Sequence, residues 1–262
     1  MPRIDVCIEA FLEDQPLVER AKRVHDAGFD AIEFWLYDSG GDRGIGELAG
    51  YCRSNGILIN NIVVNTPDGR VGGTLVNPAD RSKYLARLKD TIAIAKDIGC
   101  KKMITCTGNW REGISPGEHR KSVVDSLKAA SEIAYNEGMT LLLEALNSLV
   151  DHSGYFLDSL DEGAAICREV GSPAVKMLFD IYHIQIMQGN IISRIEQYLD
   201  VIGHFHSAGV PGRHELDNGE LNYPNILRKL DELGYKDCFG LEYWPELPVD
   251  ESLRKMRVLT RI

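Results

Sequence analysis

Four short apolar runs in the second half of the chain each end in a side chain that can bind a metal or move a proton. Val175-Lys176-Met177-Leu178-Phe179 runs into Asp180, with His183 three residues later. Leu141-Leu142-Leu143 runs into Glu144, Val201-Ile202-Gly203-His204-Phe205 into His206, and Phe239-Gly240-Leu241 into Glu242. Burying an unpaired charge is expensive, so an acid that closes a core strand needs a partner. If the four ends converge, three carboxylates and an imidazole form a hard, oxygen-rich site. That donor set suits Mn²⁺, Mg²⁺ or Co²⁺ better than a structural zinc, which favours thiolates. Each residue also has an ordinary reading. Glu144 could start an exposed loop, Asp180 could cap the helix that follows, His206 could be a hydrogen-bonded core histidine, and Glu242 could pair with a base such as Arg213. His204 shares the strand face of His206, and only one of the two need be a ligand. The joint pattern carries the metal reading.

The elements that must position these groups repeat along the chain as amphipathic helix, Gly-containing stop and short apolar strand. The stops are Asp26-Ala27-Gly28, Ser54-Asn55-Gly56, Asp97-Ile98-Gly99, Asn136-Glu137-Gly138 and Glu232-Leu233-Gly234. Glycine just past a helix end takes the left-handed cap conformation without a Cβ penalty. Strands are expected at 4–9, 31–35, 57–64, 102–107, 140–144, 175–180, 201–206 and 238–242. Helices are expected at 17–25, 46–53, 78–96, 116–135, 157–170, from 181 to about 198, at 223–233, and in the tail at 251–259. Eight alternating units over residues 1–262 predict an α/β fold, a single-domain (β/α)₈ TIM barrel. A doubly wound open sheet is the runner-up, but residues 9–14 hold no glycine for the phosphate loop such a sheet usually carries. In a barrel the carboxyl ends of all strands share one face, and strands five to eight are neighbours, so the four ends could meet.

A net charge of -10 makes the chain a poor partner for phosphate backbones. The six cysteines form no C-x-x-C pair and read as buried thiols in a reducing cytoplasm rather than disulfides or a zinc knuckle. Met1-Pro2-Arg3-Ile4-Asp5 lacks the apolar core of a signal peptide, and no apolar run approaches the roughly 20 residues of a membrane span. The expected setting is cytoplasmic, with a small-molecule partner and self-association into a homo-oligomer, and without nucleic acid or membrane.

Leu143-Glu144-Ala145-Leu146-Asn147 with Gly154-Tyr155-Phe156-Leu157 resembles the hydroxypyruvate isomerase family. So do Asp180-Ile181-Tyr182-His183-Ile184-Gln185-Ile186-Met187-Gln188-Gly189, Val210-Pro211-Gly212-Arg213-His214-Glu215 and Leu241-Glu242-Tyr243-Trp244-Pro245. The likeness is close over roughly 140–245, and the first half fits only in its order of strands and helices. The wider group is the xylose-isomerase-like TIM barrels, which include D-tagatose, D-allulose and L-ribulose 3-epimerases and apurinic endonucleases. The resemblance implies a divalent metal held by Glu144, Asp180, His206 and Glu242, with Glu144 and Glu242 also the acid/base pair. It further implies that His183 and Arg213 contact substrate oxygens. One position departs: hydroxypyruvate isomerases carry glutamine where this chain has His206, and ketose 3-epimerases carry histidine.

The chemistry implied is proton transfer beside a carbonyl, eased by a metal that stabilises the developing enediolate. Return of the proton to the neighbouring carbon isomerises an aldose and a ketose; return to the opposite face of the same carbon epimerises a ketose. Both need two carboxylates flanking the substrate. Weaker candidates for the rim are Glu33, Asn65 and the Thr107-Gly108-Asn109-Trp110 turn, where Trp110 is expected to offer an apolar wall to a sugar. Two rival classes are a DNA-repair endonuclease, disfavoured by charge and by only 7 histidines, and a non-catalytic sugar-binding barrel.

Overall fold

Runs of four to six mostly apolar residues form the strands, because a parallel strand here is covered on both faces. The computed structural model describes residues 1–36 and 43–261. The strands are β1 (Arg3–Cys7), β2 (Ala31–Phe34), β3 (Leu58–Val63), β4 (Lys102–Thr105), β5 (Thr140–Glu144), β6 (Val175–Asp180), β7 (Ile202–Ser207) and β8 (Cys238–Leu241). They pair in chain order, all parallel, and β8 returns to β1 from Arg3↔Cys238 to Val6↔Leu241, closing the barrel. The TIM barrel expected from the alternation is the fold of this chain.

Among the described residues the helices are α1 (Leu17–Asp26), α2 (Ile45–Asn55), α3 (Arg81–Ile98), α4 (Pro116–Asn136), α5 (Leu160–Val170), α6 (Ile181–Met187), α7 (Ile191–Tyr198), α8 (Tyr223–Glu232) and α9 (Val249–Leu259). The single helix expected from 181 to about 198 is two, because Gly189 and Asn190 both take positive φ and end the first. The helix expected from 157 begins at Leu160, where the Ser159 side chain accepts from Glu162 N.

Alternation divides each strand between two environments. A large core fills the space between strands and helices, while Val63, Ile104, Leu142 and Leu178 form a small separate cluster with Trp35 packed on it. Beside that cluster lies a buried polar group: Asp5, Glu33, Asn60, Asn61, His204 and His206. Two irregularities shape this group. Between Ile32↔Ile59 and Phe34↔Ile62, β3 carries one extra residue, and consecutive Asn60 and Asn61 both reach buried carboxylates, Asp5 and Glu33. Between Met177↔Ile202 and Leu178↔His204, β7 carries an extra residue at Gly203, where a Cβ would stand 2.7 Å from that of Lys176.

Candidate active site

Glu144, Asp180 and His206 occupy the ends of β5, β6 and β7, and Glu242 directly follows β8. One donor atom from each of the four lies within 4.8 Å of every other. All four are at least nine-tenths buried.

Asp180 has two jobs at once. Its Oδ1 accepts from Tyr182 N at 2.8 Å and His183 N at 3.3 Å, capping α6, which leaves Oδ2 for the site. Helix cap and ligand are therefore compatible readings of one carboxylate. The same holds for Glu242. Its Oε2 accepts from Arg213 Nη2 at 2.5 Å and its Oε1 from Trp35 Nε1 at 3.1 Å, while His206 Nδ1 stands 3.4 Å from Oε2. His206 Nδ1 is also 3.8 Å from Glu144 Oε1, and it is buried with no hydrogen-bond partner. An orphaned imidazole nitrogen among three buried carboxylates fits a cation better than an apolar or neutral core.

Arg213 is fixed by its surroundings. Its φ of 63° is left-handed, unusual for a side chain of this size, and Trp244 N donates to its carbonyl at 2.8 Å. The guanidinium stacks between Tyr182, 5.1 Å away, and Trp244, 4.8 Å away. His183 is fixed through Asn147, whose backbone N–H donates to Nδ1 at 3.2 Å. The hydrogen of a neutral His183 thus sits on Nε2, 3.5 Å from Asp180 Oδ2. Asn147 is itself pinned, its Oδ1 accepting from Val150 N and Asp151 N.

The charges are strongly uneven. Burial pushes the Glu144 carboxyl up, with Glu242 adding to the effect, to about 8. Burial also raises Asp180, to about 6, against the pull of Arg213. At Glu242 burial is overcome by Arg213 and His206, which hold it down at about 2. Burial and then Arg213 push His183 well below its ordinary value, so it is a neutral donor. Without a cation, at neutral pH, Glu242 is thus ionised while Glu144 keeps its hydrogen.

Above the four ends opens a cavity of about 240 Å³. Glu144, Glu242, His183, Arg213 and His152 supply its polar surface, and Trp35, Val63, Pro67, Ile104, Cys106, Leu146 and Trp244 the rest. Asp180 and His206 do not line it. Trp110 is not among its walls either. It packs edge-on against Phe156 at 4.7 Å and His119 at 5.0 Å, bordering a different cleft beside α4 and α5. A loop tryptophan has here packed on its own scaffold, and Trp110→Ala is expected to leave kcat/KM within about threefold, since surface substitutions away from a site have small effects; steady-state kinetics would check this. Asn65 is likewise a strut, its Oδ1 accepting from Cys106 N at 3.0 Å and its Nδ2 donating to the Gly73 and Cys106 carbonyls. Sequence reasoning missed Trp35, His152 and Asn147. Trp35 had one signal, its position two residues beyond Glu33 on an alternating strand; Asn147 had its place in the run from Leu143, and His152 had none.

A family model described as xylose isomerase-like TIM barrel matches residues 21–259. The 2-oxo-tetronate isomerase of Cupriavidus necator is 31% identical over 97% of this chain and 96% of its own length. A human protein named putative hydroxypyruvate isomerase is 31% identical over 94% of this chain and 91% of its own. Among solved structures, that of an AP endonuclease, family 2, from Brucella melitensis superposes with a TM-score of 0.89 at 25% identity, covering 98% of this chain and 99% of that one.

Proposed function

The chain is an isomerase of the xylose isomerase-like TIM barrel family, and from that premise we propose that it moves a proton between adjacent carbons of a small hydroxy-carbonyl acid, with one divalent cation in the site. The observation that carries the reading is the convergence of Glu144, Asp180, His206 and Glu242 around an imidazole nitrogen without a partner. These four residues would hold the ion, and three carboxylates with one imidazole favour Mn²⁺, Mg²⁺ or Co²⁺. When bound, the ion supplies Lewis-acid stabilisation of negative charge that develops on substrate oxygens.

The rest is the work of the chain's own residues. Glu242, kept ionised by Arg213 and oriented by Trp35, removes the proton beside the carbonyl. Glu144, the other carboxylate lining the cavity, is its partner in proton transfer. His183 offers Nε2–H to a substrate oxygen, and Arg213, anchored on Glu242 through Nη2, presents the remaining N–H groups on the edge of its guanidinium. Val63, Ile104 and Leu146 limit water at the reacting carbons. The relatives' names point to acids of three or four carbons, and a cavity of about 240 Å³ has room for a molecule of that size. A second reading, a ketose 3-epimerase, is favoured by one feature, the histidine at 206.

The test is a substrate panel of hydroxypyruvate, 2-oxotetronate, D-tagatose, D-allulose and L-ribulose, each with Mn²⁺ restored and in EDTA. Turnover of the short acids, lost in EDTA, is expected. Turnover of the ketoses alone would move the assignment to epimerisation, and full activity in the chelator would remove the metal. Abasic DNA at low salt should not be retarded, given the net charge of -10.

A further inference from the structure

Beneath the site, Glu33 of β2 is 1% exposed and meets two histidines at once. Its Oε1 is 2.9 Å from His206 Nε2 and its Oε2 3.1 Å from His204 Nε2. The Asn61 amide, delivered by the irregularity in β3, also donates to Oε2. The carboxylate is therefore hydrogen-bonded on Oε2 by groups from β3 and β7 and faces His206 on Oε1, and none of the proposed chemistry touches it.

Resting on the metal reading, we propose that Glu33 is a positioning residue: it keeps a hydrogen of His206 on Nε2 and turns Nδ1, the nitrogen that would ligate, toward Glu144, Asp180 and Glu242. The carboxylate already accepts from Asn61 on Oε2, and an Oε1 that accepts in the same way calls for the hydrogen on the imidazole nitrogen that faces it. The other nitrogen is then free for a cation, the arrangement by which an outer carboxylate sets the tautomer and angle of a ligating histidine. In the structure Nε2 and Oε1 are at hydrogen-bond distance without full alignment.

Gly240 supplies an independent observation. This residue of β8 faces the pair, and a Cβ there would stand 2.8 Å from His206 Cδ2, 3.0 Å from His204 Nε2 and 3.1 Å from Glu33 Oε1. Real Cβ atoms essentially never approach as close as the first of these. The missing side chain is the space in which the three groups meet.

Two measurements test the proposal on the full chain. In long-range ¹H–¹⁵N spectra of the metal-free protein, taken up to the pH at which His206 has lost one of its two hydrogens, the one it keeps is expected on Nε2; a bare Nε2 with hydrogen on Nδ1 alone overturns the proposal. This spectrum needs neither a variant nor a metal, so it separates the positioning role from the metal reading, which falls by itself if the wild type binds no Co²⁺. In Co²⁺ titrations followed by calorimetry and by the visible absorption of the ion, Glu33→Gln and Gly240→Ala should each weaken binding roughly 10- to 100-fold and alter the spectrum. Glu33→Asp, which keeps the charge, should recover part of the loss. Gly240→Ala leaves Glu33 in place and keeps the test decisive if Glu33→Gln does not fold. Co²⁺ affinity within twofold of wild type in the folded variants overturns the proposal.

Discussion

Glu242→Gln is expected to lower kcat by roughly 10³-fold at saturating metal, with KM changed only a few-fold. Glu242 is the one carboxylate of the site with two side-chain donors aimed at it, Arg213 at 2.5 Å and Trp35 at 3.1 Å. Against burial, Arg213 and then His206 hold its acidity at about 2, so it stays an ionised base at any working pH. An amide of the same volume keeps an oxygen for a cation but cannot take a proton, and the loss should fall on the chemical step. The barrel should survive. The amide has a single acceptor for two buried donors, a penalty of about 1–3 kcal/mol, while removal of one of three crowded like charges offsets part of it. Melting curves of the variant should therefore shift by only a few degrees. A kcat within tenfold of wild type would show that Glu242 is not the base.

Loading the metal-free protein with Mn²⁺ at pH 7 is expected to release about two protons. One comes from Glu144, whose carboxyl burial and Glu242 hold at about 8. The other comes from His206, which burial opposes but Glu33 and Glu242 push well above its ordinary value. Both must give up their hydrogen at the ligating atom before they can bind a cation. Calorimetry in buffers of different ionisation enthalpy counts the protons, and Glu144→Gln should release about one fewer. The same groups fix the sign of the stability change. Glu144 titrates at about 8 in the fold against an ordinary value of 4.5, so between those pH values the metal-free fold binds more protons than the unfolded chain. Stability of the metal-free protein therefore falls as pH rises through that window, and the gain in Tm on adding Mn²⁺ grows. A proton count that does not differ between wild type and Glu144→Gln would remove Glu144 from the ligand set.

Glu144, Asp180, His206 and Glu242 were legible because each terminates an apolar run, and a strand's alternation sends residue i and residue i+2 to the same face. The glycine stops between helix and strand were legible for a similar reason: a left-handed cap is a local demand of the backbone. From such local rules the barrel and the set of residues at its mouth follow. They do not say which atom of Asp180 is free, because that depends on where the next turn of helix places the N–H groups of Tyr182 and His183. They also placed Trp110 at the cavity, from which the Phe156 and His119 rings draw it away.

The chain by itself, then, determined what lies at each strand end, since covalent order and the two-residue period are properties of the segment alone. Only the closed barrel decided which ends meet and through which atoms. Trp35 reaches Glu242 across 207 positions and Glu33 reaches His204 across 171, because β1 and β8 zip together between them. Such contacts are set by register and by single irregularities, as at Asn60-Asn61 and Gly203, where one residue more or less turns a side chain from solvent-side core to barrel interior. The pairing of Glu33 with His206 belongs wholly to that second kind of information: neither residue's surroundings along the chain contain the other.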